Sequence, residues 1–203
     1  MRTETSASNR AMKWINQQGG IVRSKDAIAA GVYARTLTQL EKEGKLEKIA
    51  RGIYRVNSNK RISNPDLVTV ALRIPKGVIC LISALAFHNL TTQIPHKVYL
   101  ALPELTRSPK LEYPPVAIHR FRGKAFEEGI DTILIDGVGV KIYNPEKTLA
   151  DCFKFRNKIG MDVVLEALKF YRSRKKFDIH AIMKYAKICR VENQMKPYIE
   201  AIA

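Results

Sequence analysis

Apolar and polar positions alternate with two different periods along this chain. Over residues 7–18, Ala7, Ala11 and Ile15 recur on one helical face, and Gly19-Gly20 stops the pattern. The pair Ile21-Val22 reads as a short strand. Ser24 is placed to N-cap "KDAIAA", Asp26 sits in the first turn, where the helix dipole favours an anion, and Gly31 ends that helix. "YARTLTQLEKE", Tyr33 to Glu43, is a third helix with Gly44 as its C′ glycine. "GKLEKIARGIYRV", Gly44 to Val56, then switches to a period of two and reads as a hairpin. Helix, helix, turn, helix, hairpin is the order of a winged helix-turn-helix.

The polar stretch 56–66, "VNSNKRISNPD", reads as a linker and places a domain boundary after residue 60. Residues 1–60 form the expected winged helix-turn-helix domain and 61–203 a larger second domain. There, "PDLVTVALRI" is helical and "SALAFHNL" is a helix with Ser83 as N-cap. "KVYLALP", "PVAIHRF", "DTILID" and "VGVKIY" read as strands, the last two joined through Gly137. "NPEKTLADCFKF" opens a helix with Asn144 as N-cap, Pro145 at N1 and Glu146 in the first turn. "MDVVLEALKFYRS", "DIHAIMKYAKICR" and "QMKPYIEAIA" follow as helices, with Pro197 positioned to interrupt the last. The fold class expected is α+β, with a mostly antiparallel sheet and C-terminal helices.

At 100° per residue, Tyr33, Leu37 and Leu40 fall together and are expected in the core. Arg35, Gln39 and Lys42 lie opposite, with Thr38 beside them. The second helix of a helix-turn-helix enters the major groove, where Arg bonds guanine bidentately and Gln bonds adenine. In the hairpin, Leu46, Ile49, Ile53 and Tyr54 pack inward and Lys48, Arg51 and Arg55 reach phosphates. The expected DNA contacts are Arg23, Ser24, Arg35, Thr36, Thr38, Gln39, Lys42, Lys48, Arg51 and Arg55. The plainer reading is a solvated helix face beside an edge hairpin, whose lysines also block strand-to-strand aggregation.

Charge separates these readings. The chain of 203 residues carries 35 Lys and Arg against 19 Asp and Glu, a net +16. Residues 1–60 hold 12 basic and 5 acidic side chains, and residues 144–203 hold 13 and 7. The surplus sits at the two ends, and such a surplus predicts an acidic partner, most often nucleic acid. "YRSRKKFD" is the densest basic run, so Arg172, Arg174, Lys175 and Lys176 form a second candidate patch. No apolar run approaches the about 18 residues of a membrane span, and the polar start carries no signal-peptide pattern. Three widely spaced cysteines, Cys80, Cys152 and Cys189, fit a reducing cytoplasm.

Catalytic chemistry finds little support. His88, His96, His119 and His180 lack metal-ligand spacing, and no phosphate-binding glycine loop is present. Glu146 and Asp151 are five apart on one helix and do not share a face. Asp131, Asp136 and Lys141 miss the spacing of a metal-dependent nuclease core. No catalytic residue, metal or cofactor is expected.

"IVRSKDAIAAGVYARTLTQLEKEGKLEKIARGIYRV", "ISALAFHNLTTQIPHKVYLALP" and "GVGVKIYNPEKTLADCFKFRNKIGMDVVLEALKFY" together resemble the AbiEi-type antitoxins, over about nine-tenths of the chain. "YNPEKTLADCFKFRNKIG" makes the likeness specific. The resemblance implies an antitoxin of a type IV abortive-infection system directed against phage. Such a protein represses its own operon at inverted repeats and opposes a nucleotidyltransferase-like toxin without a stable complex, as a monomer or weak dimer. Within that family both domains contribute to DNA binding, and antitoxicity resides in the second. Two alternatives stand beside it: a DNA-binding protein with a nuclease second domain, and a module that binds the toxin directly.

Overall fold

The structure, a computed structural model, describes residues 2–57, 63–175 and 177–202. It is a mixed α/β protein of two compact units, residues 1–75 with 133–140, and residues 76–132 with 141–203.

The first unit runs α1 (Arg2–Gln17), β1 (Ile21–Arg23), α2 (Ser24–Ala29), α3 (Ala34–Lys42), β2 (Leu46–Ala50), β3 (Ile53–Val56) and α4 (Pro65–Arg73). Its strands form one antiparallel sheet in the order β1-β3-β2. Lys48 pairs with Tyr54 and Glu47 with Arg55, and a bulge falls between Lys48 and Ala50. Ala11, Ile15, Val22, Ala27, Leu37, Leu40, Leu46 and Tyr54 fill the core between helices and sheet. Two left-handed glycines punctuate the path. Gly31 (φ +88) closes α2 and Gly44 (φ +67) closes α3, each followed by a residue whose N–H reaches back into the last turn.

Two expectations shift here. Ser24 is not a capping residue, because Arg23 occupies the N-cap and no side chain caps α2. The Ser24 N–H instead donates to Gly52 O at 2.8 Å, tying the helix start to the hairpin turn. The unit also runs past residue 60. Arg73 Nη1 of α4 donates to Arg51 O at 2.7 Å and Arg23 Nη1 donates to Leu72 O at 3.2 Å, so α4 is stitched to the preceding elements. Of the expected linker, residues 58–62 lie outside the described residues.

The second unit contains β4 (Val78–Ile79), α5 (Leu81–Phe87), β5 (Val98–Pro103), β6 (Val116–Phe121), α6 (Lys124–Glu127), β7 (Ile130–Ile135), β8 (Val138–Tyr143), α7 (Pro145–Lys154), α8 (Arg156–Ile159), α9 (Met161–Arg172), α10 (Ile179–Ile188) and α11 (Glu192–Ile202). The tip of the β7–β8 hairpin, residues 133–140, counts with the first unit. The sheet order is β6-β5-β4-β8-β7. It is mixed rather than mostly antiparallel: β4 and β5 are antiparallel, but β5–β6 and β4–β8 are parallel. Residues 104–115 join β5 to β6, a connection long enough to return the chain to the same end. Strand β4 is a two-residue element inside the apolar run "GVICLISALAF", where no alternation marks it. Ser83 lies within α5 and is buried, not at its N-cap. Its hydroxyl accepts from Tyr99 N–H at 2.9 Å instead.

Helix α7 starts as its sequence demands, with Asn144 accepting from Lys147 N–H at 2.9 Å and Pro145 at N1. Pro197 does not interrupt α11. It lies mid-helix on an exposed face, while Met195 and Ile199 anchor the same helix by burial.

Most of α7 is buried, charges included. Lys147 and Asp151 are both 0% exposed, with Nζ and Oδ2 2.5 Å apart. The ammonium stands 4.2 Å from the Tyr143 ring centroid and 5.0 Å from that of Phe121. Cys189 Sγ donates to Asp151 Oδ1 at 3.1 Å. Burial pushes the Asp151 carboxyl up, and the Lys147 ammonium beside it pulls the other way. Gly129 (φ +79) makes room for this pair, since a Cβ there would stand 2.7 Å from Lys147 Cβ.

Candidate nucleic-acid interface

Helix α3 buries Thr36, Leu37 and Leu40 and turns Arg35, Thr38, Gln39 and Lys42 to solvent. The stripe is narrow because α1, α2 and β2 leave only one face of α3 covered. The β2–β3 hairpin follows directly. Lys48 is exposed on β2 and Arg51 is exposed in the turn. The turn is shaped by Gly52 (φ +73), where a Cβ would meet Ser24 Oγ at 3.1 Å. Arg35, Thr38 and Lys42 on α3 with Lys48 and Arg51 on the hairpin thus form a polar, cationic surface on one folded unit.

Not every expected contact residue sits there freely. Thr36 is 5% exposed, so packing removes it from the surface. Arg23 is held by Asp26 at 2.5 Å and by the Leu72 carbonyl, which makes it a bracket between α2 and α4. Ser24 is half-buried behind the hairpin turn. The Arg55 side chain is only 16% exposed, and its Nη2 lies 2.5 Å from Glu47 Oε2 across the strand pair. Its strand register turns it toward Glu47 instead of outward. Gln39 Nε2 donates to Glu43 Oε1 at 2.9 Å, and Lys45 stands 2.8 Å from Glu43 Oε2. The Lys45 ammonium and the Gln39 amide hold the Glu43 carboxyl below the usual range.

Tyr33 departs furthest from expectation. It is 64% exposed, not packed with Leu37 and Leu40. It precedes α3 as N-cap in extended conformation (φ −68, ψ 142), so the helical projection does not apply to it. Its ring lies 5.3 Å from the Arg35 guanidinium carbon. With Arg10, Trp14 and Val32 it lines a groove of about 420 Å³. Arg10, exposed on α1, gave no sequence signal because it lies a long way along the chain from α3.

The second candidate patch is also rearranged. The Arg174 guanidinium donates to the His88 carbonyl and sits 6.0 Å from the Tyr171 ring centroid, so it braces the second unit. Arg172 lies 5.0 Å from the Phe177 ring centroid. Lys175 is exposed, and Lys176 lies outside the described residues. The tertiary fold instead gathers cations and rings from separate segments. Lys97 stands over Tyr99, Tyr99 stacks on His119 at 5.7 Å, His119 meets Phe155 edge-on at 5.2 Å, and Lys158 stands over Phe155.

Groups suited to catalysis are placed otherwise. Asp136 Oδ2 accepts from the Ser63 N–H at 2.8 Å. Burial raises the thiols of Cys80 and Cys152 and pushes that of Cys189 up to about 12. Among the described residues, no group of three or more His, Cys, Asp or Glu side chains is arranged to hold a metal. None of the described helices is long and apolar enough to cross a membrane.

No curated protein matches the chain in sequence. The crystal structure of the RV2827C protein from Mycobacterium tuberculosis has a similar fold, with a TM-score of 0.53 at 12% identity over 96% of this chain and 81% of that one. Residues 9–57, which hold most of α1 and run just past β3, and so carry the whole α3–hairpin surface, match the AbiEi antitoxin family of transcriptional regulators.

Proposed function

We propose that the protein is the antitoxin and autorepressor of a type IV toxin–antitoxin operon, acting in the cytoplasm without catalysis of its own. Residues 1–57 work as a winged helix, with α3 in the major groove of an inverted-repeat operator and the β2–β3 hairpin as the wing against the backbone. The observation that carries this reading is the match of residues 9–57 to AbiEi transcriptional regulators, over the segment that exposes Arg35, Thr38, Lys42, Lys48 and Arg51. On this reading Arg35 faces bases, while Lys42, Lys48 and Arg51 face phosphates. The protein meets its operator as a monomer on each half-site or as a weak dimer. It opposes a nucleotidyltransferase-like toxin without a stable complex, through residues 61–203.

A mobility-shift titration against the DNA upstream of the chain's own gene tests the repressor role. Retardation at low salt that weakens steeply as salt rises is the expected result, because each neutralised phosphate releases counterions. No retardation at low salt sinks it. Co-purification of a tight complex with the toxin favours a direct toxin-binding module instead. Metal-dependent cleavage lost in Asp136→Ala favours a nuclease.

A further inference from the structure

We propose that Tyr33 and Arg35 read a thymine and the neighbouring guanine of the operator as one unit. The Tyr33 ring lies against the thymine C5-methyl and the Arg35 guanidinium bonds guanine O6 and N7. This rests on the DNA-reading function above and adds to it the base step read and a residue whose hydrophobic spacing had assigned it to the core.

Apart from Lys42 at the far end of α3, the other side chains of the face are buried or hydrogen-bonded within the protein. Thr36 is buried. The Gln39 amide donates to Glu43, and the Thr38 hydroxyl donates to Ala34 O at 3.3 Å. The open chemistry of α3 is therefore concentrated at its start, in a tyrosine ring that is 64% exposed and a guanidinium 5.3 Å from its centroid. That separation is cation–π range, so the ring limits how far the Arg35 head group wanders. Helix-turn-helix proteins bring base edges to the N-terminal residues of the second helix.

The chemistry then selects the bases. The thymine methyl is the one apolar group in the major groove, and it suits an aromatic face. Guanine presents two adjacent acceptors that match a guanidinium fork. Because ring and guanidinium touch, the two bases they read are adjacent. Residues 1–60, with 12 basic and 5 acidic side chains, supply the complementary charge for a duplex.

The test uses the full chain and duplexes that it selects from a randomised pool. Each thymine of the selected site is replaced in turn by uracil, which keeps base pairing and removes the methyl. The wild type is expected to lose about fourfold in affinity at one position per half-site, the worth of burying one methyl group. Tyr33→Ala is expected to be indifferent to uracil at that position, and Tyr33→Phe to behave as the wild type. Arg35→Lys is expected to lose the preference for the adjacent guanine and keep the uracil penalty. The exposed ring predicts unchanged unfolding midpoints in the Tyr33 variants, which separates lost reading from lost folding. A uracil penalty that survives in Tyr33→Ala overturns the assignment and leaves the repressor reading standing. A wild-type chain that selects no sequence and shifts no duplex overturns both.

Discussion

Helices α3 and α7 each carry a polar pair four residues apart, and the two pairs live in opposite surroundings. Gln39 on α3 and Glu43 at its C-cap face water, and their 2.9 Å hydrogen bond competes with solvent at every moment. Lys147 and Asp151 on α7 see no water at all, with the same spacing and a 2.5 Å contact. The spacing brings side chains together on any helix. What a pair is worth depends on what surrounds it. In water the pair is interchangeable with hydration. In the core, removing one partner strands a charge that nothing else can neutralise, whereas removing both can cost little. Losing the exposed pair therefore costs little stability, whereas breaking the buried one costs much.

The largest effect is expected at the buried pair. Lys147→Ala or Asp151→Ala should each destabilise by about 3–5 kcal/mol in denaturant titration, and the double variant Lys147→Met/Asp151→Leu should recover most of that loss. If the single losses simply add in the double variant, the two groups are not coupled and the contrast with α3 fails. Next comes Arg35→Ala, which should weaken binding to the selected operator by about 1–3 kcal/mol and relax preference at one base pair. Unfolding should be unchanged, because Arg35 is exposed. Smaller still, Lys48→Ala and Arg51→Ala should weaken all duplexes alike, each lowering the salt slope of binding by about one. A sequence-dependent loss in either variant would move the reading face from α3 to the hairpin.

Acid should separate the units through histidine. His88 and His119 both lie in the second unit, and burial lowers both below their ordinary value of 6.5. For His88 the His88 Nε2–H donates to Tyr143 O at 2.8 Å, which opposes the burial effect in part. Each is held neutral in the folded state and takes up a proton more readily when unfolded. Their contribution is therefore complete above pH 6.5 and is lost as pH falls through the window below it. Unfolding midpoints measured from pH 7 downward should fall, and less so in His119→Gln. The least effect is expected from Glu43→Gln. It should leave folding unaltered and slightly strengthen DNA binding by removing a carboxylate beside Gln39 and Lys45.

Legibility followed the same divide. The order of elements from α1 to β3 was readable because each boundary is a local event: Gly31 and Gly44 end their helices whatever packs on them. Asn144 and Pro145 likewise start α7 by local chemistry. Local reading failed where a distant segment decided the outcome. Ser24 lost its cap role because the hairpin turn claimed its N–H. Ser83 lost its own because α5 already begins at Leu81, which puts Ser83 inside the helix, where its hydroxyl accepts from Tyr99 N–H. Parallel pairing of β5 with β6 is a property of the path between them, not of either strand's pattern. The exposure of Lys48 and Arg51 was legible in the hairpin pattern, but Tyr33 was misplaced by projecting a helix one residue beyond its start. Arg55 and Arg174 were counted as open cations, although each is drawn to an acceptor: Arg55 to Glu47 across the strand pair, and Arg174 to the His88 carbonyl, far away in sequence.

By itself, then, the sequence determined the local elements, their glycine and asparagine termini, the cationic excess and the amphipathic stripe of α3. These follow from backbone conformational limits and from hydrophobic spacing within a few residues. Only the tertiary structure decided which charges are buried, which cations already have partners and which aromatic ring faces water. Those outcomes depend on groups brought together from remote parts of the chain, and the worth of a charge is set by the medium that those groups create around it.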